Sequence, residues 1–219
     1  MFANPLEIAE MQSLFPELDT SRNLPADPFA VVAGLSYCRE FISRSEEVDL
    51  MEAVAREDWD CRWSRRTQFY GLSYAPGVRV SQHREMPLWS VAIGRRLVDR
   101  QIVRASPTQI GVNEYLPGQG IAPHIDYSGG YVVSLSLGSG CIMEFSRHDQ
   151  PAAVEVYLEP RSIVVLQGEA RDIWKHGIPG RKSDRWHGRS IPRSLRVSIT
   201  FRNISSDGVS RETSAGRDA

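Results

Sequence analysis

Cysteine is scarce in this chain. Cys38, Cys61 and Cys141 are the three in 219 residues, an odd number with no Cys-X-X-Cys spacing. That excludes a disulfide framework and a thiolate zinc site, and it points to a reducing compartment, the cytoplasm. An excess of charge of one sign is missing too. The 26 basic and 27 acidic residues leave a formal charge of -1, so nothing draws the whole molecule toward nucleic acid or anionic lipid, and any such surface must be a local patch. No apolar run is long enough to span a membrane, and no Lys or Arg precedes Arg22, which leaves no signal-peptide pattern. A soluble monomer is expected. The length suits one domain with a core that needs no staples.

Pro5, Pro16, Pro25 and Pro28 break up residues 1–30, so this stretch reads as an arm with at most one short helix. Residues 31–204 read as the folded domain, and residues 205–219, almost without apolar side chains, as a disordered tail. Leu35 to Cys38 reads as a strand. Ser43 to Glu46 has capping-box spacing, followed by Val48, Met51, Val54 and Ala55 at helical intervals. Pro87 opens a second helix over Leu88 to Asp99, with Trp89, Ile93 and Leu97 every fourth residue. From Gln109 the texture changes to short strands, Ile110–Tyr115, Tyr131–Leu137, Cys141–Phe145, Val154–Leu158, Ile163–Leu166 and Val197–Phe201, separated by turn residues. Helices before an antiparallel sandwich or barrel make an α+β fold.

The chemistry gathers around Asn113 to Asp126. Asn113 and Tyr115 lie two apart and so share one face of a strand, as do His124 and Asp126 beyond a Pro117-Gly118 turn. His-X-Asp alone is a common chance pair. With a further imidazole it becomes a facial 2-His-1-carboxylate site, the arrangement that binds Fe(II) and leaves open positions. His176, after an apolar strand and before a Gly-Ile-Pro turn, is the candidate; His83, His148 and His187 stand in polar sequence. Such iron enzymes, when they use 2-oxoglutarate, need a cation for its distal carboxylate, for which a planar guanidinium is suited. Alternation along residues 196–202 puts Arg196, Ser198, Thr200 and Arg202 on one face and Val197, Ile199 and Phe201 on the other. Four polar groups facing a barrel interior need a polar guest.

These motifs, Asn113-Glu114-Tyr115 with Pro117-Gly118, His124-Ile125-Asp126, residues 134–138, His176-Gly177-Ile178 and Arg196 through Arg202, resemble in type and order the AlkB family of Fe(II)- and 2-oxoglutarate-dependent dioxygenases, from Leu35 to Arg202. The resemblance implies a double-stranded β-helix, a jelly roll, here with the N-terminal helices packed on one sheet. It implies His124, Asp126 and His176 as iron ligands. Asn113 and Tyr115 would hydrogen-bond 2-oxoglutarate and Arg196 would pair with its distal carboxylate, with Ser198 and Arg202 in the same pocket. The implied reaction couples decarboxylation of 2-oxoglutarate by O2 to hydroxylation of a C–H bond; on an N-methyl group the product loses formaldehyde.

Single-stranded DNA or RNA, tRNA included, is the expected partner. Arg62, Arg65 and Arg66 interleave with Trp59, Trp63, Phe69, Tyr70 and Tyr74, a pattern that suits stacked bases and phosphates. Tyr70-Gly71 resembles the family's nucleotide-recognition loop, and a second basic run spans Arg181, Lys182, Arg185, Arg189 and Arg193. Arg66, Tyr70 and Tyr127 are therefore candidates for substrate contact. Two features depart from the family's repair members. Tyr127-Ser128-Gly129-Gly130 lacks the second acidic residue expected after the metal Asp, and Asp172 replaces an apolar side chain before the distal His. Hydroxylation of a modified tRNA wobble base or of a protein side chain is the alternative, and a catalytically silent binding module is a third.

Overall fold

The computed structural model describes residues 27–73, 81–82, 84–126, 130–149 and 152–204. A one-turn helix α1 (Pro28–Val31), capped by the Asp27 side chain on Phe29 N–H, leads into strand β1 (Leu35–Cys38) and helix α2 (Arg44–Ala55). The capping box is formed: Ser43 Oγ accepts from Glu46 N–H, and Glu46 accepts from Ser43 N–H at 2.8 Å. Glu46 also pairs with Arg96 of helix α3 (Leu88–Asp99), which fastens one helix to the other. Leu50 and Val54 are the buried residues of α2, while Val48, read as part of its apolar stripe, stands 52 % exposed.

The Arg96 guanidinium and the Ser43 N–H lower the Glu46 pKa from 4.5 to about 2. A depressed carboxyl stabilises the fold fully above its unfolded pKa and loses that contribution as pH falls through the folded value. The melting-temperature gap between wild type and Glu46→Gln is therefore expected to be widest above pH 5 and to close between about pH 4.5 and 2. The half-exposed pair and salt screening keep the effect to about 1 kcal/mol. A gap independent of pH would contradict it.

The strands β2 (Thr67–Ser73), β3 (Ser81–Gln82), β4 (Gln109–Tyr115), β6 (Val132–Gly138), β9 (Ile163–Leu166) and β13 (Arg196–Arg202) join β1 in a seven-stranded sheet ordered β1-β9-β6-β13-β4-β2-β3. A second sheet is ordered β5-β10-β7-β8, from β5 (Ile121–His124), β7 (Cys141–Ser146), β8 (Val154–Leu158) and β10 (Lys175–Ile178). All strand pairs in both sheets are antiparallel. The seven strands read from the sequence are present with ends shifted by a residue at most. The two that carry the histidines, β5 and β10, were not legible, since four-residue strands holding Pro123 and Gly177 show no apolar alternation.

Strand parity divides the core in two. Val197, Ile199 and Phe201 of β13 join Ile110, Val112, Val133 and Leu135 in an apolar cluster shared with Leu50, Val54, Ile93 and Leu97 of the helices. Each such side chain contributes roughly 1.5–3 kcal/mol by burial. The opposite face of the large sheet meets the small sheet through Tyr115, Val132, Val164 and Leu166 against Met143, Phe145, Val156 and Ile178. The polar residues of β13 look into this second layer.

The second basic run forms a hairpin. Strands β11 (Ser183–Trp186) and β12 (Arg189–Pro192) pair across a turn at His187 and Gly188, both at positive φ, and Trp186 stacks on Tyr157. Arg193 is held by both oxygens of the buried Asp184, and Arg181 by Glu144. Only Lys182, Arg185 and Arg189 of that run have no carboxylate partner among the described residues.

Candidate active site

Antiparallel pairing of β5 with β10 places His124 directly opposite His176, ring centroids 4.5 Å apart. His124 Nδ1–H donates to the Ala122 carbonyl at 2.9 Å, which fixes the tautomer and leaves Nε2 with its lone pair. Burial and the neighbouring imidazole hold the His124 pKa down, so the ring stays neutral and able to ligate. Asp126 follows two residues on, its side chain 8 % exposed. Burial pushes its carboxyl up, but the Arg202 guanidinium and the two imidazoles outweigh that and hold it well below the ordinary range.

The way Asp126 is held matters. Arg202 donates from Nε at 3.0 Å and Nη2 at 2.7 Å, and both bonds go to the one oxygen, Oδ1. Oδ2 makes no hydrogen bond, although His176 Nε2 is 3.3 Å away, and buried His176 Nδ1 is also without a partner. A buried acceptor left this way costs about 1–3 kcal/mol. One ligand atom from each of His124, Asp126 and His176 lies within 4.8 Å of the others. Two imidazoles and an anionic oxygen converging on one point suit a divalent ion.

Along the same wall, β13 pairs Arg196 with Tyr115 and Ser198 with Asn113 of β4. Asn113, Tyr115, Ser198 and Thr200 line the cavity between the sheets together with both histidines. Ser198 Oγ bonds Ser134 Oγ at 2.8 Å. Arg196 is 2 % exposed, packs over the Tyr115 ring at 5.3 Å and donates to Ser136 Oγ at 2.8 Å; its Nε and Nη1 have no partner. No carboxylate pairs with it among the described residues. A buried guanidinium with two idle donors is a site for a carboxylate. A more open hollow outside the small sheet, floored by Gly120, Ala122, Gly177 and Gly180, offers one charged group, Glu144, already paired with Arg181.

The substrate candidates fare differently. Tyr70 is not at the cavity: it is 2 % exposed in the helix-side cluster, donating to Gln68 Oε1 and set edge-on to Trp89. Parity explains the correction, because Tyr70 is one residue out of step with the cavity face of β2. Arg66 grips both oxygens of Glu114 and lies over Trp59. Tyr127 lies outside the described residues, as do Tyr74 and His83. Asp172, on helix α4 (Glu169–Asp172), pairs with adjacent Arg171, exposed and away from the cavity. Arg65 was missed as a site residue; its Nε–H donates to Asn113 Oδ1 at 3.0 Å and its guanidinium lies over Tyr115.

Comparison with known proteins agrees with this geometry. Residues 35–202 match the model of the 2OG-Fe(II) oxygenase superfamily. The chain is 35 % identical over 186 residues to uncharacterized protein L905 of Acanthamoeba polyphaga mimivirus, covering 82 % of this chain and 89 % of that one. It is 32 % identical to the Alkylated DNA repair protein ALKBH8 homolog of Arabidopsis thaliana, covering 85 % of this chain but 60 % of the relative. To the tRNA (carboxymethyluridine(34)-5-O)-methyltransferase alkbh8 of Xenopus tropicalis it is 30 % identical, covering 78 % of this chain and 32 % of the relative. The solved structure of OsALKBH1 shares the fold with a TM-score of 0.59 at 19 % identity, over 78 % of this chain and 98 % of that one. That neighbour carries the jelly roll expected from the motifs. The chain thus belongs to the 2OG-Fe(II) oxygenase superfamily, as an AlkB-like oxidoreductase of a family that uses Fe(II), 2-oxoglutarate and O2.

Proposed function

We propose that this oxygenase demethylates alkylated bases in single-stranded DNA or RNA, tRNA included, working as a cytoplasmic monomer. His124, Asp126 and His176 hold the metal; Arg196, Asn113, Tyr115 and Ser198 hold 2-oxoglutarate. The observation that carries the reading is the buried, carboxylate-free Arg196 over the ring of Tyr115, which lines the same cavity as the three converging ligand atoms. When bound, Fe(II) with 2-oxoglutarate and O2 supplies the oxidising power to hydroxylate a C–H bond. The residues of the chain position. Arg202 ties down one oxygen of Asp126 and leaves the other for the metal, and the Ala122 carbonyl aims His124. Arg196 takes the distal carboxylate, and the Tyr115 ring beneath it excludes water from that ion pair. A hydroxylated N-methyl group then releases formaldehyde unaided, so no general base is needed.

Three free thiols, Cys38, Cys61 and Cys141, fit a reducing compartment, and no described helix is long and apolar enough to cross a membrane. The names of the relatives favour nucleic acid as substrate. With Fe(II), 2-oxoglutarate and ascorbate, the purified protein is expected to release formaldehyde in step with succinate from methylated oligonucleotides or bulk tRNA. Turnover of 2-oxoglutarate that no such substrate stimulates would refute the reading. The tRNA named in relatives from three species, together with the lack of a second acidic residue in Tyr127-Ser128-Gly129-Gly130 after the metal Asp, supports a second reading. Stable hydroxylation of a modified wobble base would show by mass spectrometry as an added oxygen without loss of a methyl.

A further inference from the structure

Arg196 donates its one hydrogen bond to Ser136 Oγ, so the strand that carries Ser136 decides where the fork of its guanidinium stands. On β6, Ser136 lies opposite Ser198 and Gly138 opposite Arg196 itself. Both are held by Glu47 of α2. Its carboxylate accepts from Gly138 N–H at 2.8 Å and from Arg161 Nη1 at 3.0 Å. Arg161, in the turn from β8 to β9, gives its own N–H to the Ser136 carbonyl at 2.7 Å, and the Ser162 carbonyl takes the Ser136 N–H at 2.9 Å. That turn is strained. Arg161 stands at φ +65°, a left-handed backbone that residues with a side chain seldom take, and its guanidinium secures it through Glu40 and Glu47. Gly138, at φ +77°, has no room for a Cβ, which would meet Leu195 O at 2.5 Å. The end of β6 is thus pressed against the residue before Arg196. Of the two carboxylates on Arg161, the Glu40 side chain is 63 % exposed and the Glu47 side chain 13 %. An exposed pair contributes little, so Glu47 is the link that counts. A helix packed on the other face of the large sheet in this way fixes both flanks of the Arg196 seat.

Resting on the assignment of Arg196 to the distal carboxylate, we propose that Glu47 is a positioning residue for 2-oxoglutarate: through Gly138 and the Arg161 turn it sets Ser136, and with it the aim of the Arg196 donors. A site of this kind tolerates only about 0.5 Å and 10–20° of misplacement. The test is binding, separate from turnover. Anoxic protein loaded with Mn(II) is titrated by calorimetry with 2-oxoglutarate, and separately with 2-oxobutyrate, which has the keto acid end without the distal carboxylate. Glu47→Gln keeps an acceptor for Gly138 N–H but turns an amide NH2 toward Arg161, donor against donor. Its Kd for 2-oxoglutarate is expected to rise about 5- to 30-fold, the loss of one charge-assisted hydrogen bond. Its Kd for Mn(II) and for 2-oxobutyrate stays that of the wild type, a split that a merely structural role would not give. Arg161→Gly, which takes φ +65° without strain but has no guanidinium, weakens 2-oxoglutarate in the same way. Glu46→Gln, next to Glu47 on the same helix, lowers the melting temperature and leaves 2-oxoglutarate binding alone. The proposal is overturned if Glu47→Gln or Arg161→Gly binds 2-oxoglutarate as the wild type does, if 2-oxobutyrate weakens equally, or if Glu46→Gln weakens 2-oxoglutarate as much. Arg196→Met tells the two readings apart. If it fails to bind 2-oxoglutarate while Glu47→Gln binds normally, only the role of Glu47 falls; if it binds normally, the cosubstrate assignment falls and takes the role of Glu47 with it.

Discussion

An Arg196→Met variant is expected to lose use of 2-oxoglutarate while folding at least as well as the wild type. The two effects have one cause. Arg196 is 2 % exposed, with a single hydrogen bond to Ser136 and two donors idle, so without its guest it is a buried cation that burdens the fold. Methionine fills the same space without that burden, and replacing buried ionic groups by apolar ones is often neutral or stabilising. In the loaded protein the balance reverses. Removing one partner of a buried, hydrogen-bonded charge pair costs about 2–5 kcal/mol, or roughly 30- to several-thousand-fold in KM for 2-oxoglutarate. Lysine recovers little of this, because an ammonium cannot reproduce the planar fork of donors. Steady-state kinetics and melting curves of the metal-free protein check both halves. A normal KM, or a melting temperature lowered along with activity, would show that Arg196 serves the fold rather than the cosubstrate.

Asp126→Ala carries the second large effect, and here stability and function fall together. The substitution takes away an anionic ligand and strands Arg202, whose side chain is 17 % exposed and donates both its short bonds to Asp126. Breaking such a pair from one side costs about 3–5 kcal/mol, or roughly 6–20 °C in melting temperature for a chain of this size. Adding Arg202→Met to Asp126→Ala removes the stranded charge and is expected to restore most of the stability with none of the metal binding. Melting curves of the metal-free single and double variants separate the two roles. Equal melting temperatures for both would mean that Arg202 does not depend on Asp126.

The sequence was legible where period and chemistry coincide. On β13 a single alternation separates the apolar residues from the polar ones, and the structure keeps it: Val197, Ile199 and Phe201 lie in the helix-side cluster, and Ser198, Thr200 and Arg202 line the cavity. The capping box at Ser43 was equally plain, because its two bonds span three residues. What stayed hidden depends on long-range pairing. Whether Phe69 or Tyr70 faces the cavity is decided by the register of β2 on β4, and a slip of one residue exchanges them. Arg202 sits 76 residues from the carboxylate that it fixes, and nothing local marks the pair. The second basic run misled for the opposite reason: an arginine count cannot show that Asp184 and Glu144 have already engaged Arg193 and Arg181.

Titration of the anoxic, metal-free protein with Mn(II) by calorimetry, first alone and then with 2-oxoglutarate, puts the central assignment to the most direct test. One ion per chain is expected in the wild type. His124→Ala and His176→Ala should each lose it, and Arg196→Met should bind the ion normally but fail to take up 2-oxoglutarate afterwards. Full occupancy in either histidine variant, or 2-oxoglutarate binding that ignores Arg196, would contradict the site described here.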